Sequence, residues 1–305
     1  MGGNAHRLAR WNVDTQRRDR IVVGIDEGAQ SALAVEWAAR EAQAAGVPLA
    51  LVHGETDRYA AAVIDPGIVP AMELAVRQAD PRQLVADTAE FVHRIAPDVE
   101  VTTYIEPGSP VGVLCRQADT ASMVVLGSEG SGLFAELVFG SVCGTLAVRS
   151  RCPVVAVRTQ PESVAYDAPV AVGVDGTKVS KAAMEFAFEL ADRHGVGVRA
   201  VHVMPPSADR DPDDQERHRW LTADSMAELA TRYPHVDIDI DFTIGEPVPV
   251  LTARSAGCRL LVVGSRGRGV AAGLLSGSVS QALLRSIRGP IAVVRKDCVR
   301  AAVAR

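Results

Sequence analysis

The sequence predicts an α/β fold made of two tandem, doubly wound parallel sheets with five strands each. The first observation behind this prediction is an internal repeat, in which IVVGIDEG returns as VAVGVDGT and ASMVVLGSEGSG returns as CRLLVVGSRGRG. The second is the alternation of short apolar, β-branched segments with longer segments whose apolar residues recur at helical spacing. Strands that alternate with helices form parallel sheets covered on both faces, so each copy of the repeat is one α/β unit.

The spacing of the repeat defines two domains. Asp26 corresponds to Asp175 at a shift of 149 positions, whereas Gly108 corresponds to Gly245 at a shift of 137, so the first copy carries twelve extra residues between His53 and Gly108. The copies are separated by TQPESVAYDAP, whose prolines and polar residues interrupt the apolar pattern. These limits predict a disordered leader at residues 1–19, a first domain at 20–160 and a second domain at 169–297.

Each copy is predicted to run strand, helix, strand, helix, strand, helix, strand, loop, helix, strand. In the first copy the five strands are IVVGI, LALVH, VTTYI, MVVLG and VVAVR, and the first helix falls on residues 31–45. These strands are short and apolar, as expected for strands buried on both faces of a sheet. Connections between parallel strands are right-handed, and they place ligand sites at the carboxyl ends of the strands. The final strands, 154–158 and 291–295, are expected at sheet edges, which are a liability unless covered.

Composition and charge exclude several classes of function. The formal net charge of −5 argues against non-specific binding to nucleic acid, which depends on a basic surface. No apolar run approaches the roughly 20 residues that span a bilayer, so we expect neither a membrane anchor nor a secretory signal. The five cysteines form no C-x-x-C pair and have mostly apolar neighbours, which indicates buried thiols in a reducing, cytoplasmic compartment. Cys143, close to a glycine motif, is the candidate for the alternative role of a redox-sensing thiol.

Two glycine motifs with identical spacing carry the functional information. The pattern G-x2-G-x9-G-S begins at Gly127 in the first copy and at Gly264 in the second, and each ends just before a helical segment. Glycines let backbone N–H groups approach a phosphate, and the amino end of a helix favours negative charge. The motif is not a Walker A loop, because no G-K-[ST] follows, and the first strand lacks the G-x-G-x-x-G of dinucleotide-binding oxidoreductases. A flexible turn is the alternative interpretation, which the duplication disfavours.

The glycine motif, the aspartate at the end of the first strand and the tandem arrangement resemble the universal stress protein family, especially its two-domain ATP-binding members from actinobacteria. The resemblance covers roughly residues 20–296. It implies a Rossmann-like fold in which the first-strand aspartate contacts the nucleoside, a residue after the second-strand histidine contacts adenine through its backbone, and the glycine loop holds ribose and phosphates. It also implies that the final strands pair between the domains and that the molecule forms a homodimer.

The resemblance assigns these roles to matching positions in both copies. The nucleotide-binding positions of the first domain are Gly24, Asp26, Gly54, Gly127, Ser128, Gly130, Ser131, Gly132, Gly140 and Ser141. Those of the second domain are Gly173, Asp175, Val203, Gly264, Ser265, Arg266, Gly267, Arg268, Gly269, Gly277, Ser278 and Val279. Gly24 and Gly173 are expected to leave room for the nucleotide. An aspartate after a buried strand can instead cap the following helix, which is the structural alternative for Asp26 and Asp175.

The two copies differ in ways that favour the second site. Arg266 and Arg268 lie among the loop glycines of the second domain, whereas Glu129 lies among those of the first. A carboxylate near a triphosphate is repulsive by on the order of 1 kcal/mol, even when screened. Gly54 also stands where the resembling family usually has valine. We therefore expect the second domain to bind ATP more tightly, with a solvated rim as the alternative role of the two arginines.

No set of residues in the sequence indicates catalysis. There is no Ser/His/Asp set at recognisable spacing, no H-E-x-x-H and no His/Cys cluster at metal spacing, and His53 and His202 are expected in the core. The resemblance implies an ATP-binding regulatory protein of the stress response, which takes ATP with or without Mg²⁺. Without a lysine or a placed general base, hydrolysis of ATP should be slow at best. The alternatives are an adenylyl-transferring or slow ATP-hydrolysing enzyme on a related α/β fold, and an interaction scaffold with vestigial nucleotide sites.

Overall fold

Strands and helices alternate through both halves of the chain. The computed structural model describes residues 20–55, 80–127, 141–159, 165, 167–204, 206, 212–265 and 278–298. The elements of the first half are β1 (Arg20–Gly24), α1 (Ala29–Ala45), β2 (Leu49–Glu55), α2 (Pro81–Ile95), β3 (Val101–Pro107), α3 (Pro110–Ala118), β4 (Ala121–Gly127), α4 (Ser141–Arg149) and β5 (Val154–Val157). Those of the second half are β6 (Val170–Val174), α5 (Lys178–His194), β7 (Val198–Met204), α6 (Pro212–Arg232), β8 (Ile238–Ile244), α7 (Pro247–Arg254), β9 (Leu260–Gly264), α8 (Ser278–Ser286), β10 (Ile291–Val294) and a short 3-10 helix (Lys296–Cys298). The order of elements is the predicted one in both halves.

The ten described strands form one sheet, in the order β3-β2-β1-β4-β5-β10-β9-β6-β7-β8. Within each half the neighbouring strands are parallel. The final strands β5 and β10 pair with each other in antiparallel orientation, with Ala156 opposite Ile291. The α/β class with two five-stranded parallel units is therefore confirmed, as is the pairing of the final strands. This pairing joins the two five-stranded units into one continuous sheet.

Helices cover both faces of the sheet and enclose two layers of apolar core. One layer lies under α1, α2, α5 and α6 and includes Phe188, which is fully buried. The other lies under α3, α4, α7 and α8 and includes Leu146 and Leu283. Each layer runs from one half of the molecule into the other. The residues of β5 and β10 are buried at every position, which explains why the final strands are apolar throughout.

Local sequence sets the ends of several helices. Gly46 and Gly195, which are equivalent in the repeat, end α1 and α5 in the left-handed conformation, each with φ of 64°. Thr177 caps the amino end of α5 by accepting a hydrogen bond from Ser180 N at 3.1 Å. The shift of 137 positions already holds between the last residues of α2 and α6, so the extra residues of the first copy lie between β2 and the end of α2.

A buried charged cluster joins α1 of the first half to α5 of the second. Glu41 is only 3% exposed, and its carboxylate pairs with Arg193 and with His194, the latter at 2.6 Å between Nε2 and Oε2. Arg193 also pairs with Glu189 at 3.1 Å. A buried carboxylate is costly unless it is paired and hydrogen-bonded, so the position of α1 depends on the two basic residues at the end of α5.

Candidate functional site

Among the described residues, Gly24, Asp26 and Gly127 lie where β1 and β4 end, and Gly173, Asp175 and Gly264 lie at the corresponding ends of β6 and β9. In each half these two strands are neighbours at the point where the strand order reverses. Ligands of open parallel sheets bind in the crevice outside the carboxyl ends of the strands at such a reversal. Gly127 ends β4 and Gly264 ends β9, as the motif predicts. The topology therefore makes this edge of the sheet the candidate site.

Asp26 and Asp175 each hold the turn between the first strand and the first helix of their half. Asp26 Oδ1 accepts a hydrogen bond from Gly28 N at 2.9 Å, and Asp26 N donates to Ser31 Oγ at 3.0 Å. Asp175 Oδ1 accepts from Thr177 N at 3.0 Å and from Thr177 Oγ1 at 2.7 Å. The helix caps are Gly28 and Thr177 rather than the aspartates. Each carboxylate thus lies beside a helix amino end with one oxygen used by the turn, and its contact with a nucleoside stays a prediction.

Gly127 lies directly against the first turn of α1. A Cβ atom on this residue would stand 2.7 Å from Gln30 C and 2.8 Å from Ser31 N, both of which are backbone atoms. A side chain fits there only if the helix moves. The first glycine of the motif therefore has a structural reason in the first half, since it allows the end of β4 to contact the turn that Asp26 holds.

Core side chains fill the space beside Gly24 and border the space beside Gly173. A Cβ atom on Gly24 would stand 2.6 Å from Leu126 Cδ2 and 3.0 Å from Leu114 Cδ1. A Cβ atom on Gly173 would stand 3.4 Å from side-chain carbons of Leu251. The expectation that these glycines leave room for a nucleotide stays a prediction. At Gly24, the missing side chain makes room for the apolar core.

The two halves differ at the position predicted to contact adenine. Gly54 lies within β2, and a Cβ atom on it would stand 2.9 Å from Pro110 Cα at the start of α3. The equivalent Val203 lies within β7 and packs, half-buried, against the core layer under α7 and α8. Both residues are part of a strand rather than of a loop after it. In the first half, the backbone at the start of α3 comes so close to β2 that only glycine fits at this position.

The second-strand histidines have structural partners. His53 is half-buried, and its Nδ1 lies 3.0 Å from Ile25 O, which ties β2 to the turn before Asp26. His202 is 2% exposed, and its Nδ1 lies 3.0 Å from Thr222 Oγ1 of α6. The core position predicted for His202 is confirmed, whereas His53 lies at the margin of the core.

The helices that follow the glycine motifs lie against the strands that precede them. α4 and α8 begin at Ser141 and Ser278, as predicted. Cys143 Sγ lies 3.8 Å from Gly127 O, and in the second half Ser280 Oγ donates to Ser265 O at 3.4 Å. The amino ends of α1 and α4 therefore both flank the end of β4. Helix amino ends favour bound anions, so this place is suited to a phosphate group.

Burial makes Cys143 unsuited to redox sensing. It raises the pKa of the Cys143 thiol to about 12, whereas reactive cysteines have a lowered pKa and are accessible. Cys152 and Cys258 are buried as well, and Cys115 and Cys298 are partly buried. The interpretation of the cysteines as packed thiols is confirmed for the three buried residues.

Much of both glycine motifs lies outside the described residues. These positions are Ser128, Glu129, Gly130, Ser131, Gly132, Gly140, Arg266, Gly267, Arg268, Gly269 and Gly277, and the leader predicted at 1–19 lies outside as well. The roles of these residues, and that of Val279, stay predictions. Among the residues that the structure describes, no group of three or more His, Cys, Asp or Glu could hold a metal ion. Within the same residues, no helix combines the length and apolar character needed to cross a membrane.

A family model and several known proteins match this chain over nearly its whole length. The model of the universal stress protein family matches twice, at residues 17–158 and 168–295. Universal stress protein Rv2623 of Mycobacterium tuberculosis is 34% identical over 291 residues, which cover 91% of this chain and 96% of that protein. Universal stress protein Rv2005c of the same organism is 34% identical over 295 residues, covering 92% and 99%. The crystal structure of a universal stress protein from Archaeoglobus fulgidus has a TM-score of 0.66 and 19% identity, and covers 90% of this chain and 96% of that chain, which shows the same fold.

Proposed function

Because the chain belongs to the universal stress protein family, we propose that it binds ATP at the carboxyl edge of each half and acts as a regulatory protein of the stress response. The observation that carries the proposal is the arrangement at the end of β4. Two helix amino ends flank a strand end that tolerates no side chain, and the Asp26 carboxylate lies in the adjacent turn. Backbone N–H groups at helix ends suit the phosphates, and a carboxylate suits the ribose hydroxyls. The second half has the corresponding turn at Asp175 and, in the first turn of α8, the contact of Ser280 with Ser265 O.

We propose that the second-domain site is the tighter one. Arg266 and Arg268 add two positive charges to its glycine motif, and the first motif carries Glu129 instead. Opposite charge near a triphosphate strengthens its binding and like charge weakens it. The preference for ATP over GTP rests on the adenine contacts that the family resemblance predicts at Gly54 and Val203.

The proposal is binding without efficient turnover, with or without Mg²⁺. Neither motif has the lysine that reaches the β- and γ-phosphates in a Walker A loop. An adenylyl-transferring or hydrolysing enzyme would release AMP or ADP well above the uncatalysed background. A scaffold with vestigial sites would show no rise in its thermal midpoint with ATP. These two measurements separate the three functions.

The decisive experiment is calorimetry of the full chain with ATP and with GTP. We expect two ATP sites of unequal affinity, and the Asp26→Ala and Asp175→Ala variants should each lose one of them. Asp175→Asn keeps an acceptor for the Thr177 hydrogen bonds, so it separates the loss of charge from the loss of the turn. Asp239→Ala, which removes an exposed partner of Arg199, is the matched control and should keep both sites. Absence of ATP binding, or two unchanged sites in both alanine variants, would overturn the proposal.

We also propose that the protein is cytoplasmic and forms a homodimer. The final strands β5 and β10 pair with each other inside one chain, so two chains must associate through another surface. The strands at the two outer edges of the sheet, β3 and β8, offer backbone groups for such an association. Light scattering that shows only a 32.2 kDa species at micromolar concentration would refute the proposal of a homodimer.

A further inference from the structure

Two arginines that are equivalent in the repeat reach across the pairing of β5 and β10. Arg158 directly follows β5, and Arg295 directly follows β10, at a shift of 137 positions. Arg158 NH1 donates to Arg285 O at 2.9 Å, and Arg295 NH1 donates to Ser150 O at 3.2 Å. Because the two strands are antiparallel, each arginine emerges beside the chain segment that leads into the last strand of the other half.

The carbonyls that accept these hydrogen bonds belong to the carboxyl ends of two helices. Arg285 lies in the last turn of α8, and Ser150 directly follows α4. The last carbonyls of a helix lack partners within the helix, and the negative end of the helix dipole attracts a cation. Each arginine therefore stabilises the carboxyl end of a helix that belongs to the other half. Both arginines are partly buried, and of the two acceptor residues Ser150 is buried whereas Arg285 is exposed.

These two helices are the ones that follow the glycine motifs. Each has nine residues, so about 13 Å separates its two ends. The amino end lies against the strand that precedes the motif, and the carboxyl end contacts the arginine of the other half. A short helix held at both ends moves as one body, because its internal hydrogen bonds resist bending. A change at the carboxyl end therefore displaces the amino end.

We infer that Arg158 and Arg295 are positioning residues for the nucleotide sites, each acting on the site of the opposite half. Arg158 orients α8 and thereby the second-domain site, and Arg295 orients α4 and thereby the first-domain site. This inference rests on the proposed function, since it concerns the same two sites. It goes further in making each site depend on a side chain of the other domain, without direct contact between that side chain and ATP.

The contacts that reach across to the second half are more numerous and shorter. Besides Arg158, the first half provides Thr159, whose N and Oγ1 donate to Arg288 O at 3.1 Å and 2.6 Å. Arg295 also pairs with Asp297 at 3.5 Å, which competes for its guanidinium. Because Asp297 competes for Arg295, the effect of Arg158 on the second-domain site should exceed the effect of Arg295 on the first-domain site.

The test measures ATP affinity in the full chain with one site disabled at a time. In the Asp26→Ala background only the second-domain site remains, and there Arg158→Ala should weaken ATP binding about three- to tenfold, the effect of losing a cation at a helix end. Arg295→Ala should change it less than about twofold in that background. In the Asp175→Ala background, Arg295→Ala should be the damaging change and Arg158→Ala the weaker one. Arg158→Lys keeps the charge and should recover part of the affinity.

Hydrogen exchange provides a readout that does not require ATP. Amides of residues 278–286 should exchange faster in Arg158→Ala, and amides of 141–149 should exchange faster in Arg295→Ala. Arg20→Ala is the control, because Arg20 bonds to Tyr104, Gln117 and Thr120 within the first half. It should leave the exchange of both helices and the affinity of both sites unchanged.

The outcomes separate this inference from the proposed function. A parent chain that binds no ATP overturns both. A parent that binds ATP while each arginine variant weakens the two sites equally, or weakens the site of its own half, overturns the inference alone. Loss of affinity confined to the opposite half, with faster exchange of the same helix, supports it.

Discussion

Replacing Gly127 with alanine should destabilise the first half and weaken its ATP site at the same time. The added Cβ atom would stand 2.7, 2.8 and 2.9 Å from three backbone atoms of Gln30 and Ser31. Carbon atoms pack at about 3.5–4.0 Å, so the first turn of α1 must move by roughly 0.8 Å or more. That turn is held by the hydrogen bonds of Asp26 with Gly28 and Ser31, and it cannot move without straining them.

The size of the effect follows from this geometry. Overpacking a well-packed site costs about 1–3 kcal/mol, and the upper half of that range applies here because the obstructing atoms are backbone. For a unit of roughly 150 residues, a loss of about 2–3 kcal/mol lowers the thermal midpoint by about 5–10 °C. The same displacement moves the Asp26 carboxylate away from the end of β4, so ATP affinity of the first-domain site should fall as well.

The assay combines chemical denaturation with ATP titration in the Asp175→Ala background. Gly144→Ala is the matched control, because Gly144 lies within α4 and, apart from its own helix backbone, no atom of the described residues lies within 4 Å of the position of an added Cβ. Alanine in a helix interior is favoured over glycine, so this control should be as stable as the parent or more stable by about 0.5–1 kcal/mol. A Gly127→Ala variant as stable as the parent would refute the steric reasoning. A destabilised variant with full affinity would show that the turn and the site are independent.

Two further predictions concern the buried charged cluster and the buried thiol. In a urea titration, Glu41→Leu should lower the free energy of unfolding by about 3 kcal/mol, because Arg193 and His194 lose a buried partner. The control is Glu36→Gln, which removes a surface ion pair with Arg40 and should change the free energy of unfolding by less than about 1 kcal/mol. The pKa of the Cys143 thiol is about 12 in the folded state and about 9 in the unfolded state. The contribution of the buried thiol to stability is therefore complete below pH 9 and is lost as the pH rises toward 12. Between pH 9 and pH 10 the parent should therefore lose about 1 kcal/mol more stability than Cys143→Ala, and parallel pH profiles would contradict the assignment.

The sequence predicts the fold well because the repeat and the apolar strands are local signals. The boundaries of β4, β9, α4 and α8 follow directly from the glycine motifs, since a glycine ends each strand and a serine begins each helix. The steric reasons for the glycines were not predictable. Gly24 faces Leu126 and Gly127 faces the backbone of Gln30, and both contacts bring together residues that are about one hundred positions apart in the chain.

The charged cluster at Glu41 was not predictable for the same reason. In the sequence, Glu41 lies between Arg40 and Ala42 in a helix whose polar positions would normally face water. Its partners are more than 150 positions away, in the other copy of the repeat. The alignment of the two copies does contain a signal, because Glu41 is matched with Leu190. A change from a charged to an apolar residue at equivalent helix positions indicates that the two helices have different neighbours.

That difference between the copies determines which half pairs with which. The repeat equivalent of Glu41 is Leu190, and the equivalents of Arg193 and His194 are Ala44 and Ala45. Two first domains paired in this geometry would bury Glu41 against alanines, and an unpaired buried carboxylate costs several kcal/mol. Two second domains would place the basic pair against leucine. Only the pairing of a first half with a second half places the Glu41 carboxylate against the basic side chains of Arg193 and His194. The same pairing brings β5 beside β10. Because these strands are neighbours, Arg158 contacts α8 of the second half and Arg295 contacts the end of α4 of the first half.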